Sequence, residues 1–478
     1  MIIPLSAADT STSGAKAGAL GSLLRAGLPV PDGFVIPFTV HQAATRDATA
    51  EPTLDGFAGT ERAIAVRPER AESATSDALR PTGLLDLLAE GLDKLGDVPV
   101  AVRSSADGED TAEASRAGQY ESVLAVRGVA EVAKAVQTCW ESLDSSRAIA
   151  YRNDPAPSVA SRNNPPFLVA NRDESGRPPT YSKDSSADPP DEPGQPGSSN
   201  IPGNDPAMAV LVQRLVDAEV SGVMFTSAEG TTALEASWGL GPSVVGGTVT
   251  PDSYRVDADG SITRTIAEKR TRLDRPGAHA REGYGYGYSA GERLVGGLVA
   301  GQVAADDRDR ATLGDAVVVR LAGLGQEAAA LLGGPLDIEW AIDNDQIWIL
   351  QARPITAAPP PAPAVAPVAS RTLLAGTPAS HGIATGTARI VRGPADFAQV
   401  RPGDILVCPY TDPAWTPLLR IAAGVVTDTG GALCHAAIVA RELRLPAVVA
   451  IADATTTIRD STLVTIDGST GTVTITAT

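Results

Sequence analysis

The stretch TDTGGALCHAAIVAREL, Thr427–Leu443, sets His435 behind Gly430 and Gly431 and at the head of an apolar pattern with helical spacing. Pro446 closes the pattern, so the spacing predicts a helix beginning at HAAIVAREL, with the imidazole among the unsatisfied N–H groups at its positive end. That field disfavours imidazolium and leaves neutral, nucleophilic imidazole near neutral pH. It also stabilises a dianionic phosphoryl group once one is attached. Glycines let a phosphate donor approach the backbone closely, and Thr429 offers a hydroxyl. The plainer alternative is a capping histidine satisfied by local hydrogen bonds.

Three further segments carry residues suited to phosphate. In STSGAKAGALGSLLRAGLPVPDGF, Lys16 lies in a glycine-flanked turn that opens a helix, where backbone amides and an ammonium can face an anion together. In AVRSSADGED, Arg103 leaves a buried strand and enters a polar loop, which fixes a guanidinium yet lets it reach a polyphosphate oxygen. In LDIEWAIDNDQIWILQARPIT, alternation aims Glu339 one way, while Gln351 and Arg353 share a face across a hairpin over DNDQ. With Asp337 beside them, hard oxygen donors and a cation converge, and magnesium takes only one or two such donors from protein when phosphates complete its shell. Read singly, Lys16 is a solvated helix start and the hairpin a salt-bridged edge.

These residues must act against an acidic background. The chain has 478 residues, 39 Lys plus Arg against 57 Asp plus Glu, and a net charge of −18. Non-specific capture of nucleic acid or of acidic lipid is therefore excluded, and any polyanion must be held by a few placed cations. Three cysteines far apart, without C-x-x-C, fit a reducing compartment rather than a disulfide framework or a zinc site. With no signal-peptide pattern and no long apolar run, a cytoplasmic protein with no membrane association is expected.

The elements that position these residues read as α+β, with α/β character, in several domains. Helical spacing covers Ala15–Ala26, Val129–Tyr151 and Ala311–Leu332; Val98–Ala106 reads as a buried strand, and Met208–Val216 with Val220–Thr226 as strands around a turn. The hairpin joins Ile338–Ala341 to Ile347–Gln351. Short Val/Ile-rich strands, Gly403–Val407, Gly424–Thr427, Ala447–Ile451 and Leu463–Ile466, surround the histidine. The run at 153–206 reads by composition as a disordered insertion, and REGYGYGYSAGE, Arg281–Glu292, as a mobile loop. Thr356–Ser370, TAAPPPAPAVAPVAS, is a semi-rigid spacer reaching roughly 45 Å at polyproline spacing. The expected division is 1–355, the linker 356–370, and 371–478.

Taken together and in order, GAKAGALGSLLRAGLPVPDGF, AVRSSADGED…AGQYESVL, CWESLDSSRAIAYR, VLVQRLVDAEVSGVMFT, ALEASWGLGPSVVGGTVTPDSY and DIEWAIDNDQIWILQARPIT resemble the ATP-grasp nucleotide-binding region of the phosphoenolpyruvate synthase and pyruvate phosphate dikinase family. GTPASHGIATGTARIV, LVCPYTDPAWTPLLRIAAGVVTDTGGALCHAAIVARELRLPAVV and VTIDGSTGTVTI resemble the mobile phosphohistidine domain of the same family. The resemblance implies an ATP-grasp body joined by a Pro/Ala hinge to a small swivelling domain. It implies that Lys16, Arg103 and Arg353 hold ATP phosphates and that Glu339 and Gln351 hold Mg2+ with Asp337 beside them. Gln213 and the following run, Leu215 and Val216 included, would line the adenine hinge, and His435 would take a phosphoryl group from ATP. Ala15 and Ala17 depart from the family's usual glycines. Leu433 leaves no counterpart to the threonine phosphorylated in plant-type dikinases, Cys434 resembles the synthase branch and reads as a packed thiol, and His381, where proline is usual, reads as structural.

Relatives carry a pyruvate- and phosphoenolpyruvate-binding barrel after the histidine domain, and none is recognisable here up to Thr478. The expectation is thus an ATP-dependent dikinase-type phosphotransferase component that passes the phosphoryl group to a pyruvate-like or other hydroxyl metabolite bound by a partner subunit. Two alternatives stand beside it: a self-contained small-molecule or drug kinase with its acceptor between the two domains, and a non-catalytic nucleotide-sensing relative.

Overall fold

The computed structural model describes residues 1–49, 83–106, 120–145, 207–276, 298–358 and 373–475. The insertion at 153–206, Arg281–Glu292 and most of the Pro/Ala spacer lie outside the described residues.

The first unit is an antiparallel sheet in the order β1-β2-β5-β3-β4, built from β1 (Ile3–Pro4), β2 (Gly33–Ile36), β3 (Val100–Ala106), β4 (Ser122–Val126) and β5 (Met208–Arg214). Helices α1 (Thr10–Arg25), α2 (Phe38–Thr49), α3 (Leu84–Leu95) and α4 (Val129–Glu141) accompany it. α1 starts earlier than its apolar spacing suggests, because Asp9 caps the amide of Thr12 at 2.9 Å. It breaks at Gly14, whose φ of 79° is left-handed and where an added Cβ would overlap the Ser105 carbonyl. The break places Lys16 in the first turn of the second helical segment.

A second antiparallel sheet follows in the order β13-β12-β6-β7-β8-β9. Its strands are β6 (Val220–Thr226), β7 (Thr232–Trp238), β8 (Asp252–Val256), β9 (Ile262–Thr265), β12 (Leu336–Asp343) and β13 (Gln346–Pro354), while β10 (Thr271–Asp274) and β11 (Val299–Gln302) pair separately. Met208–Val216 and Val220–Thr226 were expected around one turn. Instead β5 belongs to the first sheet and β6 to the second, and the segment between them bridges the sheets. Along it Leu215 N bonds Pro99 O and Glu219 N bonds Ile342 O, both at 2.9 Å. Both strands are buried, and an apolar run does not name its partner strand. One core joins the two sheets: α1 and the helix Asp315–Leu332 cover Leu211, Met224, Ile338 and Trp340.

The third unit has eight strands, β14 (Leu373–Ala375), β15 (Thr377–Ser380), β16 (Ile383–Ile390), β17 (Ile405–Cys408), β18 (Gly424–Thr427), β19 (Ala447–Val449), β20 (Leu463–Asp467) and β21 (Thr472–Ile475). Their order is β14-β21-β20-β16-β17-β18-β19-β15, and β16 to β19 are parallel neighbours. The histidine helix, His435–Glu442, crosses from β18 to β19 with Cys434 as its N-cap. Among the described residues no helix is long and apolar enough to cross a membrane.

Lys269 and Asp252 hold the outer edge of the second sheet. Both are fully buried and 2.6 Å apart, and Asp252 also accepts from the amides of Ala267 (2.9 Å) and Thr312 (2.8 Å). Removing one partner of such a pair strands a buried charge. Asp252→Ala is expected to cost about 3–5 kcal/mol, read as a lower urea midpoint for the transition of this unit; an unchanged midpoint would contradict this role.

Candidate active site

The hairpin β12–β13 carries the densest set of polar residues, and its backbone explains their convergence. Asn344 and Asp345 both have positive φ, 49° and 62°, which is the tight turn that suits the right-handed twist of a hairpin. The register pairs Asp337 with Arg353 and Glu339 with Gln351, so all four occupy one sheet face, while Ile338 and Trp340 point into the core. Between Glu339 and Trp340 the register slips, leaving Leu350 as the extra residue of a bulge. The Leu350 carbonyl accepts from Arg103 Nη1 at 3.0 Å, across from the first sheet.

The cations meet carboxylates there. Arg103 Nη2 donates to Glu339 Oε2 at 3.1 Å; Arg353 Nε and Nη2 donate to Asp337 Oδ2 at 2.9 and 2.7 Å, both groups buried. Lys16, also buried, donates to the Ser104 carbonyl at 2.9 Å, one residue beyond Arg103. The structure therefore brings Lys16, Arg103, Asp337, Glu339, Gln351 and Arg353 into one array at the junction of the two sheets. Gln213 stands apart from it: its side chain is buried and donates to Pro31 O at 3.0 Å. Of the segment expected to line a base, Val216 joins Ala218, Leu240, Leu273 and Ala341 in an apolar cluster between the sheets, with Leu350 packed against it. Hard oxygen donors Asp337, Glu339 and Gln351 on one face fit a divalent cation that takes most of its shell from phosphate. They do not fit a metal caged by protein, since among the described residues no group of three His, Cys, Asp or Glu could hold one.

The histidine helix docks on this same face. Leu433 and Ile438 pack against Val223, Phe225, Val244 and Val249, and Arg441 lies 5.9 Å from the Phe225 ring. Ile438 lines a small cavity together with Asp337, Arg353 and Phe225. His435 is the first residue of the helix, and its Nδ1 is 3.2 Å from the buried Thr411 Oγ1. The residue is only 5% exposed, because the helix is covered on one side by its own sheet and on the other by the docked unit.

Around the histidine the third unit is tied down by backbone. Gly430 N bonds Val249 O at 3.1 Å, and Thr429 Oγ1 donates to Gly247 O at 2.7 Å, so the Thr429 hydroxyl is engaged in docking in this pose. Thr356 Oγ1 donates to Glu442 Oε1 at 2.7 Å at the far end of the helix. Burial raises the Cys434 thiol above its ordinary value and keeps it protonated, consistent with a packed thiol. Sequence reasoning passed over Glu235, whose carboxylate accepts from Leu433 N at 3.2 Å, and Arg441, which donates to Ala432 O at 2.6 Å and Ala379 O at 2.9 Å. A carboxylate inside the otherwise apolar strand TALEASW was the available signal.

Comparison with known proteins agrees with this two-part arrangement. Residues 10–371 match the model described as pyruvate phosphate dikinase, AMP/ATP-binding domain, and residues 400–471 match that of the PEP-utilising enzyme mobile domain. Among curated relatives, the probable phosphoenolpyruvate synthase of Methanothermobacter thermautotrophicus is 32% identical over 97% of this chain, and the phosphoenolpyruvate synthase of Aeropyrum pernix is 34% identical over 96%. The chain spans 61% and 56% of the length of these two relatives. The motifs, the docked histidine helix and these matches lead to one conclusion: the chain belongs to the phosphoenolpyruvate synthase and pyruvate phosphate dikinase family.

Proposed function

We propose that this chain is the ATP-dependent, phosphohistidine-forming part of a dikinase-type phosphotransferase. Residues 1–355 bind ATP, 371–478 carry His435, and the spacer at 356–370 is the tether between them. The observation that carries the reading is the docking of the histidine helix on the sheet face that bears Asp337, Glu339, Gln351 and Arg353.

In this reading Lys16, Arg103 and Arg353 exchange their present partners for phosphate oxygens, and Leu215 and Val216 border the base. Asp337, Glu339 and Gln351 would hold Mg2+, which when bound neutralises phosphate charge. Neutral His435 forms an N–P bond as the P–O bond to the AMP leaving group breaks. That leaves a pyrophosphoryl group on the ring; water then cleaves its β–γ P–O bond, so the β-phosphoryl group stays on the ring while AMP and phosphate are released. The helix N-terminus stabilises the added dianion. Undocking then carries the phosphoryl group to a pyruvate-like or other hydroxyl acceptor. We assign that acceptor to a partner subunit, because the face beside His435 is already filled by the nucleotide unit.

Incubation with Mg2+ and ATP labelled in the β-phosphoryl group is expected to give an acid-labile, alkali-stable protein phosphate that disappears in His435→Ala; absence of label in the wild type would end the proposal. Arg103→Ala and Lys16→Ala are each expected to weaken ATP binding roughly 10- to 100-fold in a calorimetric titration, the scale of a lost charged hydrogen bond. Unchanged affinity in both would remove these residues from the phosphate site.

A further inference from the structure

Glu235 is a buried carboxyl group that the function above leaves without a role, and it touches the mobile unit at the residues just before His435. On β7 it pairs with Val223, which pairs in turn with Glu339 on β12, so it shares the sheet face of the candidate metal residues two strands away. Its Oε2 accepts from Leu433 N at 3.2 Å, and the amide of Ala432 also bonds the carboxyl group. A Cβ on Gly431 would overlap that carboxyl group, so glycine is what permits the approach. On the other side, Arg441 Nη1 donates to the Ala432 carbonyl at 2.6 Å. Arg441 is buried, and its Nε and Nη2 find no hydrogen-bond partner among the described residues. The peptide leading into His435 is thus gripped by a carboxyl group from one unit and a guanidinium from its own.

We propose that Glu235 is an interdomain positioning residue whose grip on the Ala432 and Leu433 amides sets the pose in which the mobile unit presents His435 to the nucleotide face. This rests on the functional reading above for its consequence, although not for the contact itself.

The electrostatics give the latch a pH signature. Burial pushes Glu235 up to about 7, against the downward pull of the two amides and of Arg441. The charged or titratable groups acting on it are Arg441 and Cys434 from the mobile unit, while Glu339 shares its sheet face two strands away. Burial lowers Arg441 to about 10, leaving it cationic between pH 6 and 8, and keeps Cys434 protonated. Undocked, Glu235 returns toward its ordinary 4.5, so docking takes up a proton. That contribution is full below the undocked value and is lost as pH rises through about 7.

The three native cysteines are buried, so nitroxide labels at Asp259→Cys and Thr470→Cys, both at exposed turns, report the separation of the units in the full chain. Without nucleotide, the wild type is expected to show one short distance that weakens from pH 6 to pH 8. Glu235→Ala and Gly431→Ala should each abolish that distance. The double variant should be no worse than either single one, since both remove the same contact. Glu235→Gln, which keeps an acceptor oxygen, should hold the short distance without pH dependence. His435 labelling should slow about tenfold or more in Glu235→Ala and Gly431→Ala, while ATP affinity in Glu235→Ala stays within about twofold. A short distance persisting in both alanine variants overturns the proposal, as does an equal loss of ATP affinity in Glu235→Ala, which would assign the residue to the nucleotide site. A wild type that takes no label defeats the functional reading alone, and the distances still decide the latch.

Discussion

The proposed chemistry requires the histidine at the mouth of its helix to close on the sheet face that bears Asp337, Glu339 and Arg353, and the contact between the histidine helix and the β12–β13 face meets that constraint. Val223, Phe225, Leu433 and Ile438 supply apolar burial, while the amides of Gly430 and Leu433 find acceptors on the opposite unit. The Leu433 amide lies one residue before the N-cap Cys434, and a carboxyl group from the opposite unit supplies its acceptor. A phosphoryl group on His435 would introduce a second anion beside the same helix mouth, which gives docking and release a common electrostatic origin.

The cradle follows the same logic. In a chain of net charge −18, buried cations must be kept satisfied by acceptors of the protein itself. Arg353 is held by Asp337, Arg103 by Glu339 and the Leu350 carbonyl, and Lys16 by the Ser104 carbonyl. These partners preorganise the donors. In the proposed reading a polyphosphate would exchange one set of acceptors for another rather than meet bare charge, which limits the desolvation cost of binding. The bulge at Leu350 is the backbone device that makes the exchange possible, because it turns a carbonyl from the ladder toward the other sheet.

Local patterns exposed much of this in the amino-acid sequence. Period-two alternation placed Glu339, Gln351 and Arg353 on shared faces, and the apolar spacing before Pro446 placed His435 at a helix start, because both depend on neighbours close in the chain. What depended on distant neighbours was not legible. The assignment of β5 and β6 to different sheets is one such case, since two buried strands look alike whichever sheet they complete. Glu235 is another: a carboxylate in a buried strand marks it locally, but its partner Leu433 lies 198 positions away in sequence. Gly431 was legible as a site of close approach, but the group that approaches in this pose is a carboxyl group. Gln213 was read at the base-binding hinge, and in the structure its side chain donates to the Pro31 carbonyl.

The central claim is that docking brings the His435 ring to the face bearing Asp337, Glu339 and Gln351. Manganese in place of magnesium, bound with a non-hydrolysable ATP analogue, tests it through the 15N resonances of the labelled imidazole. Paramagnetic broadening of the His435 signal that is lost in Glu339→Ala is the predicted result. A His435 signal that stays sharp with manganese and nucleotide bound would contradict the account.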